Sequence, residues 1–230
     1  MKQIDPQVLQ LLEKEQKVTI GLSTGKDSLA AALVLKKLKI EFIPFFFYHC
    51  PDLNFVEKNL IHCEDILEVK IIRMPHPMLY DYLRHQDFQP PKMIYKLAAA
   101  GFIKSHFEDM INIYLDSIGD MRNYYDVVGT RASESFNRRM QFKKQGFVTG
   151  RKISLIADWK SSDVIEFLKD EKVPLTDDYK IWNRSFDGLK YQFLFGVKEN
   201  YPDDWQKIKD LFPLIEVELF RYEQNQKYYV

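Results

Sequence analysis

The residues best suited to chemistry form one short run, Ser23-Thr24-Gly25-Lys26-Asp27-Ser28, set between a β-branched stretch and an alanine- and leucine-rich one. A loop from the carboxyl end of a strand to the amino end of a helix offers unpaired backbone N–H groups and the positive end of the helix dipole, which together favour an anion. Phosphate suits the side chains: Ser23, Thr24 and Ser28 bring hydroxyl donors, Lys26 a mobile cation, and Gly25 lets the backbone come close. Asp27 is out of character there. A carboxylate beside phosphate repels it unless a divalent cation lies between them, so Asp27 implies either a Mg²⁺ ligand or a structural hydrogen-bonding role. The Walker A pattern requires Gly five residues before the Gly-Lys pair and Ser or Thr directly after the Lys. Ile20 and Asp27 stand at those places, and the pattern fails at both.

Three further runs carry charge or aromatic weight. In Gly129-Thr130-Arg131-Ala132-Ser133-Glu134-Ser135-Phe136-Asn137-Arg138, Arg131 and Arg138 can each grip a phosphate or sulfate bidentately while Glu134 orients one of them. The alternative is a surface ion-pair cluster. Ile156-Ala157-Asp158-Trp159, followed by Asp163-Val164, reads as a Trp packing anchor ahead of a helix with an Asp cap nearby. Arg138, Arg139, Lys143, Lys144, Arg151 and Lys152 share a segment without an acidic residue, punctuated by Gly146 and Gly150. It is a solvated flexible loop, a lid over triphosphate, or a foothold for nucleic acid or an anionic acceptor.

The elements that must position these residues follow from periodicity. A helix is predicted over Pro6 to Glu15, a strand over Lys17 to Leu22, a helix over Leu29 to Leu38, a strand over Glu41 to Tyr48, a helix over Phe55 to Leu67 and a strand over Val69 to Met74. This β-α-β-α-β order predicts an α/β fold with an open, doubly wound, mostly parallel sheet. From about 76 to 120 helices take over, at Met78 to His85 and Ala98 to Ile118, as an inserted helical layer. A strand returns at Tyr125 to Val128, short helices follow at Asp163 to Leu168 and Asp204 to Leu211, and the rest beyond Pro174 reads as an irregular, aromatic C-terminal extension. The expected division is an α/β domain over 1–180 that carries the Ser23–Ser28 loop and an extension over 181–230 packing on it. The aromatic tail from Tyr191 to Tyr229 is either a partner surface, compatible with an oligomer, or a cover for the sheet.

Composition narrows the function classes. The 230 residues hold 33 Lys plus Arg against 33 Asp plus Glu, so no global positive charge drives binding to nucleic acid or anionic membrane. Nucleic acid could be met only through the local basic segment 138–152. No apolar run is long enough to span a bilayer and no signal-peptide pattern opens the chain, so a cytoplasmic protein without a membrane partner is expected. Two cysteines, Cys50 and Cys63, are too few for a disulfide framework, an iron–sulfur cluster or a zinc site of Cys alone. Both read as small buried hydrophobes.

Leu22-Ser23-Thr24-Gly25-Lys26-Asp27-Ser28 resembles the S-x-G-K-D-S form of the PP-loop, typical of the phosphoadenosine phosphosulfate (PAPS) reductase-like branch of the adenine nucleotide α-hydrolase-like superfamily. The Gly129 to Arg138 run resembles that branch's G-x-R-x-x-E-S-x-x-R signature, and Ala157-Asp158-Trp159 with Asp163-Val164 resembles its A-D-W-x-x-x-D-V segment. The three occur in the family's order between Val18 and Tyr179. The resemblance implies an adenine nucleotide, ATP or PAPS, contacted by Ser23, Thr24, Gly25, Lys26, Asp27, Ser28, Gly129, Arg131, Glu134, Ser135 and Arg138. Lys26, Asp27, Arg131 and Arg138 would act in the reaction, with Mg²⁺ on Asp27.

Two departures bear on which reaction this is. PAPS reductases carry a catalytic cysteine in a C-terminal Glu-Cys-Gly-Leu-His element, whereas this chain has no Cys beyond Cys63 and ends its tail Leu219-Phe220-Arg221-Tyr222-Glu223. Only Cys50 could replace that thiol. Tyr48-His49-Cys50-Pro51-Asp52 stands where relatives often place Asp-Thr-Gly, and His49, with no identifiable partner, reads as a loop residue. The expectation is therefore cleavage of ATP to AMP and pyrophosphate, adenylylating an unidentified acceptor, a chemistry that needs no protein nucleophile. Sulfonucleotide reduction and non-catalytic nucleotide binding are the alternatives.

Overall fold

The computed structural model describes residues 2–120 and 122–228. One six-stranded sheet runs β3-β2-β1-β4-β6-β5, with β1 (Lys17–Gly21), β2 (Glu41–Tyr48), β3 (Ile72–Pro75), β4 (Asp126–Val128) and β6 (Lys152–Ser154) parallel and β5 (Val148–Thr149) antiparallel at one edge. The predicted open, mostly parallel α/β sheet is what forms. Because β2 and β4 flank β1 on opposite sides, chain order reverses at β1, and the carboxyl ends of β1 and β4 open the crevice where such sheets bind ligands.

Helices cover both faces. On one, α2 (Lys26–Lys37) and α8 (Ser161–Asp170) bury Leu29, Leu33, Val164 and Phe167 against Val18, Ile20, Val127 and Ile153. On the other, α6 (Phe107–Ser117) sets Ile111 and Leu115 on Phe45, with Ile43 and Phe47 packed alongside. α1 (Pro6–Glu15) and α3 (Asn54–Leu67) match the helical periodicity read from sequence. No helix among the described residues is long and apolar enough to cross a membrane.

Four expectations change. The inserted layer holds three helices: α4 (Pro77–His85), then α5 (Pro91–Ala100) and α6 in place of one helix over 98–118. Gly101, at φ +64, ends α5 in the left-handed conformation that closes helices. The basic segment 138–152 is not a loop: α7 (Phe136–Gln145) continues through its first half, Gly146 at φ +74 stops it, and β5 and β6 form a hairpin around Gly150. The last predicted strand of the first half begins three residues late, at Ile72. The segment after Pro174 is helical, with α9 (Asp178–Trp182), α10 (Tyr191–Asn200), α11 (Pro202–Leu211) and α12 (Glu216–Tyr228). Its Leu194, Val197, Trp205, Ile208 and Phe212 join the buried cluster of the sheet's helices, and Tyr201 stacks on Phe55 of α3 at 4.6 Å. Aromatic residues read as loop content are helix-packing content here; Tyr229 lies outside the described residues.

Candidate functional site

The run from Ser23 to Ser28 lies at the crevice. α2 begins inside it, at Lys26, so Lys26, Asp27 and Ser28 form the first helical turn with Gly25 as N-cap. The Ser28 hydroxyl donates to the Gly25 carbonyl (3.0 Å), accepts from the Ser23 amide (3.1 Å) and meets the Ser23 hydroxyl (3.1 Å). Those hydroxyls, expected to face phosphate, tie the loop to itself. Thr24 is buried at φ +58, a conformation that a β-branched residue adopts only under constraint from its surroundings. Gly25 has an ordinary φ of −78°, and a Cβ there would come within 2.9 Å of Ser185 Oγ, which would have to turn aside.

The charged members form a chain. Asp27 accepts from Lys26 Nζ (2.8 Å) and Arg131 Nη2 (3.2 Å), and Arg131 Nε approaches its Oδ1 at 2.7 Å, a charge contact off the angle of a hydrogen bond. Arg131 is 6% exposed and also donates to Ser133 Oγ (2.9 Å). Glu134 accepts from the Arg131 amide (3.2 Å) and pairs with Arg138, whose side chain is open to solvent. Ser135 caps α7 by accepting from the Arg138 amide (3.2 Å). The backbone of Gly129 lies against the first turn of α2, where a Cβ would meet Asp27 C and Ser28 N at 2.8 Å. Thus the two sequence runs come together, but Arg131 serves Asp27, Ser135 serves a helix, and Gly129 seals one peptide.

Trp159 is fully buried edge-on to Phe167, and its carbonyl accepts from Ser133 Oγ (3.1 Å), so the Ala157-Asp158-Trp159 segment props the Arg131 loop from behind. Asp163 caps α8 by accepting from the Lys160 amide (2.8 Å).

Asp27 does not fit a protein-held Mg²⁺. It is one carboxylate already bridged by two cations, and no group of three His, Cys, Asp or Glu able to hold a metal occurs among the described residues. Any Mg²⁺ at this loop would arrive on the phosphates of the ligand.

Beside the loop, a cavity of about 240 Å³ opens between Gly21, Ser23, Phe47, His49, His76 and Phe107. His49 stacks on His76 (4.1 Å between centroids, 25°), and Phe107 stands edge-on to both His76 and Phe47. Burial, then His76, then Lys190 lowers the His49 imidazole to about 3, and burial lowers His76 against the pull of Asp187; both rings are neutral and can stack without repulsion. Nδ1 of His49 is buried with no partner among the described residues. Sequence reasoning left His49 a loop residue because its partner lies 27 positions away, beyond β3; the one signal was its place directly after β2. Cys50 lines the same cavity and Cys63 lies in the core, and burial pushes both thiols up to about 12. Neither offers a thiolate nucleophile.

The segment around α9, unread in the sequence, roofs the loop. The Tyr179 hydroxyl accepts from the Lys26 amide (2.9 Å), the Thr176 hydroxyl donates to the Thr24 carbonyl (3.4 Å), and Phe186 and Asp187 close the cavity rim. A phosphate oxygen at the α2 N-terminus and the Tyr179 oxygen would compete for one amide.

Among known proteins, no protein-family model and no curated protein matches the chain. Among solved structures, an NH3-dependent NAD synthetase from Campylobacter jejuni subsp. jejuni NCTC 11168, in complex with the nitrate ion, aligns at 12% identity over 93% of this chain and 89% of that one, with TM-score 0.45. An NMN synthetase from Francisella tularensis aligns at 14% identity over 90% of each chain, with TM-score 0.43. Neither likeness decides what this chain does.

Proposed function

We propose that this chain is an adenine-nucleotide-binding enzyme of the PP-loop superfamily that cleaves ATP to AMP and pyrophosphate, adenylylating an acceptor. The observation that carries the reading is the position of the Ser23–Ser28 turn: at the sheet's switch point, on a helix N-terminus, next to a flat-walled aromatic cavity. The base would sit in that cavity against the neutral His49–His76 stack, with the unpaired Nδ1 of His49 offered to its edge. The triphosphate would run along the first turn of α2.

In this arrangement Lys26 and Arg138 are the cations free to move. Lys26 can exchange Asp27 for phosphate, and Arg138 can exchange Glu134; Arg131 stays on Asp27 and keeps that carboxylate from repelling the ligand. An acceptor oxygen attacks the α phosphorus, the bond from that phosphorus to the bridging oxygen of the β phosphate breaks, and pyrophosphate leaves with the electron pair. The chain's contribution is orientation and charge stabilisation, with no protein nucleophile, in keeping with two thiols held in their protonated form.

Calorimetry with ATP, AMP and adenosine, followed by a pyrophosphate-release assay, tests this. ATP is expected to bind at least about tenfold more tightly than adenosine, and Lys26→Ala to remove that advantage and lower turnover about 100-fold. Equal affinity for ATP and adenosine would overturn the phosphate assignment. Tight ATP binding without pyrophosphate across a panel of acceptors would leave a nucleotide-binding protein, not an enzyme.

A further inference from the structure

The face of the sheet that α6 seals over β2 continues across β1, β4 and β6. Register pairs Ile43 with Thr19, Thr19 with Asp126, and Asp126 with Lys152, so these four side chains share that face. The opposite face carries Ile20, Val127 and Ile153, all fully buried. Interior strands of a parallel sheet are ordinarily apolar on both sides, and a carboxylate placed there is costly unless something compensates it. A cavity of about 400 Å³ lies over this polar half, walled by Thr19, Asp126 and Lys152 on the sheet and by Ile111 and Leu115 of α6.

The charges around that cavity do not cancel at Asp126. Its Oδ1 accepts from the Thr19 hydroxyl (3.1 Å), and its Oδ2 takes no hydrogen bond from the described residues. Lys152 is drawn to Glu108 at the rim (3.3 Å). Arg151 lies over the Tyr125 ring (4.7 Å) and donates to the Tyr124 carbonyl (3.1 Å). Desolvation raises the Asp126 carboxyl to about 6, against the Thr19 hydrogen bond and Lys152 and with the help of Glu108, and the group is still ionised at neutral pH. The acceptor left open in the cavity is the Asp126 carboxylate, and on α6 Ile111 and Leu115 form an apolar strip alongside Glu108 and Asn112.

We propose that this cavity binds a small ligand bearing a protonated amine or guanidinium on a short aliphatic stem, the cation on Asp126 and Thr19 and the stem along Ile111 and Leu115. The site shares strands β1 and β4 with the nucleotide loop but none of the loop's residues, so its test stands apart from the ATP reading.

The probes are putrescine and agmatine, with 1,4-butanediol as the neutral control, titrated into the full chain without nucleotide and followed by amide chemical shifts. Saturable shifts at Thr19, Asp126 and Lys152 with the amines and not the diol are expected. Asp126→Asn should weaken binding about tenfold or more, the loss of a charge-assisted hydrogen bond, while Arg138→Gln leaves it unchanged. Asn can still accept from Thr19, and thermal unfolding verifies that the variant is folded; Thr19→Val gives a second, smaller weakening. No saturable shift with either amine, equal response to the diol, or undiminished binding to Asp126→Asn would overturn the proposal.

Discussion

Two carboxylates, one in each half of the sheet, show how the same group is made structural or left available. Glu64, on α3 beside β3, is buried and would be pushed up by that burial, yet Arg73, the Ile71 amide (2.9 Å) and Lys70 (3.0 Å) outweigh it and hold it at about 2. Asp126, on β4, has one hydroxyl and an open oxygen, and burial wins, raising it to about 6. A carboxylate with a full set of donors stabilises the fold; one with an unfilled oxygen costs the fold something and keeps that oxygen for a ligand. The surroundings agree. Around β2 and β3 the sheet is sealed by aromatic packing on α6, and around β4 and β6 it is left open.

The strongest test of this contrast is to damage the sealed half. Phe45 is fully buried and meets Tyr114 edge-on at 5.4 Å, so Phe45→Ala should lose about 3–5 kcal/mol in denaturant unfolding. A loss under about 1 kcal/mol would show that the sealed half is not where stability resides. Next comes the pH dependence of the open half. Because the folded Asp126 binds its proton more tightly than the unfolded chain does, its contribution is full below about pH 4 and is lost as pH rises through about 6, a fall of about 3 kcal/mol that Asp126→Asn should flatten. An unchanged slope in that variant would assign the titration elsewhere.

Glu64 runs the other way. Its folded carboxyl is depressed, so its contribution is present above the unfolded value near pH 4 and is lost as pH falls toward about 2. Lys70 is solvent-exposed, which screens part of the effect. Glu64→Gln should therefore cost about 2 kcal/mol at neutral pH, and a neutral outcome in urea unfolding would erase the difference between the two carboxylates. The smallest effect concerns the roof of the loop. Removing the Tyr179 hydroxyl frees the Lys26 amide, so Tyr179→Phe should tighten ATP binding by about fivefold in calorimetry. Weaker binding would make that hydroxyl a ligand contact and not a competitor.

Much of the framework is legible in the sequence. β1 (Lys17–Gly21) and β2 (Glu41–Tyr48) are strands where β-branched and aromatic runs put them, and the polar turn between Leu22 and the Ala/Leu helix sits at the switch point of the sheet. Local signals were misread where a tertiary neighbour decided the outcome. Residues 138–145 are helical with a weakly amphipathic, basic sequence whose N-cap is Ser135, and the segment after Pro174 became helices because the buried cluster of the sheet's helices supplies a surface for Leu194 and Trp205. At the site, residue types identified the charged members but not their pairing.

By itself the amino-acid order determined the strand–turn–helix unit and its anion-favouring character, since backbone amides, a glycine and a lysine at that spacing act through local geometry alone. Which cation neutralises Asp27, which ring stacks on His49, what roofs the loop and where Asp126 opens are settled by residues from 27 to 153 positions apart brought within contact. Coulomb and packing forces act over ångströms of space and take no account of separation along the chain, so only the folded arrangement could decide them.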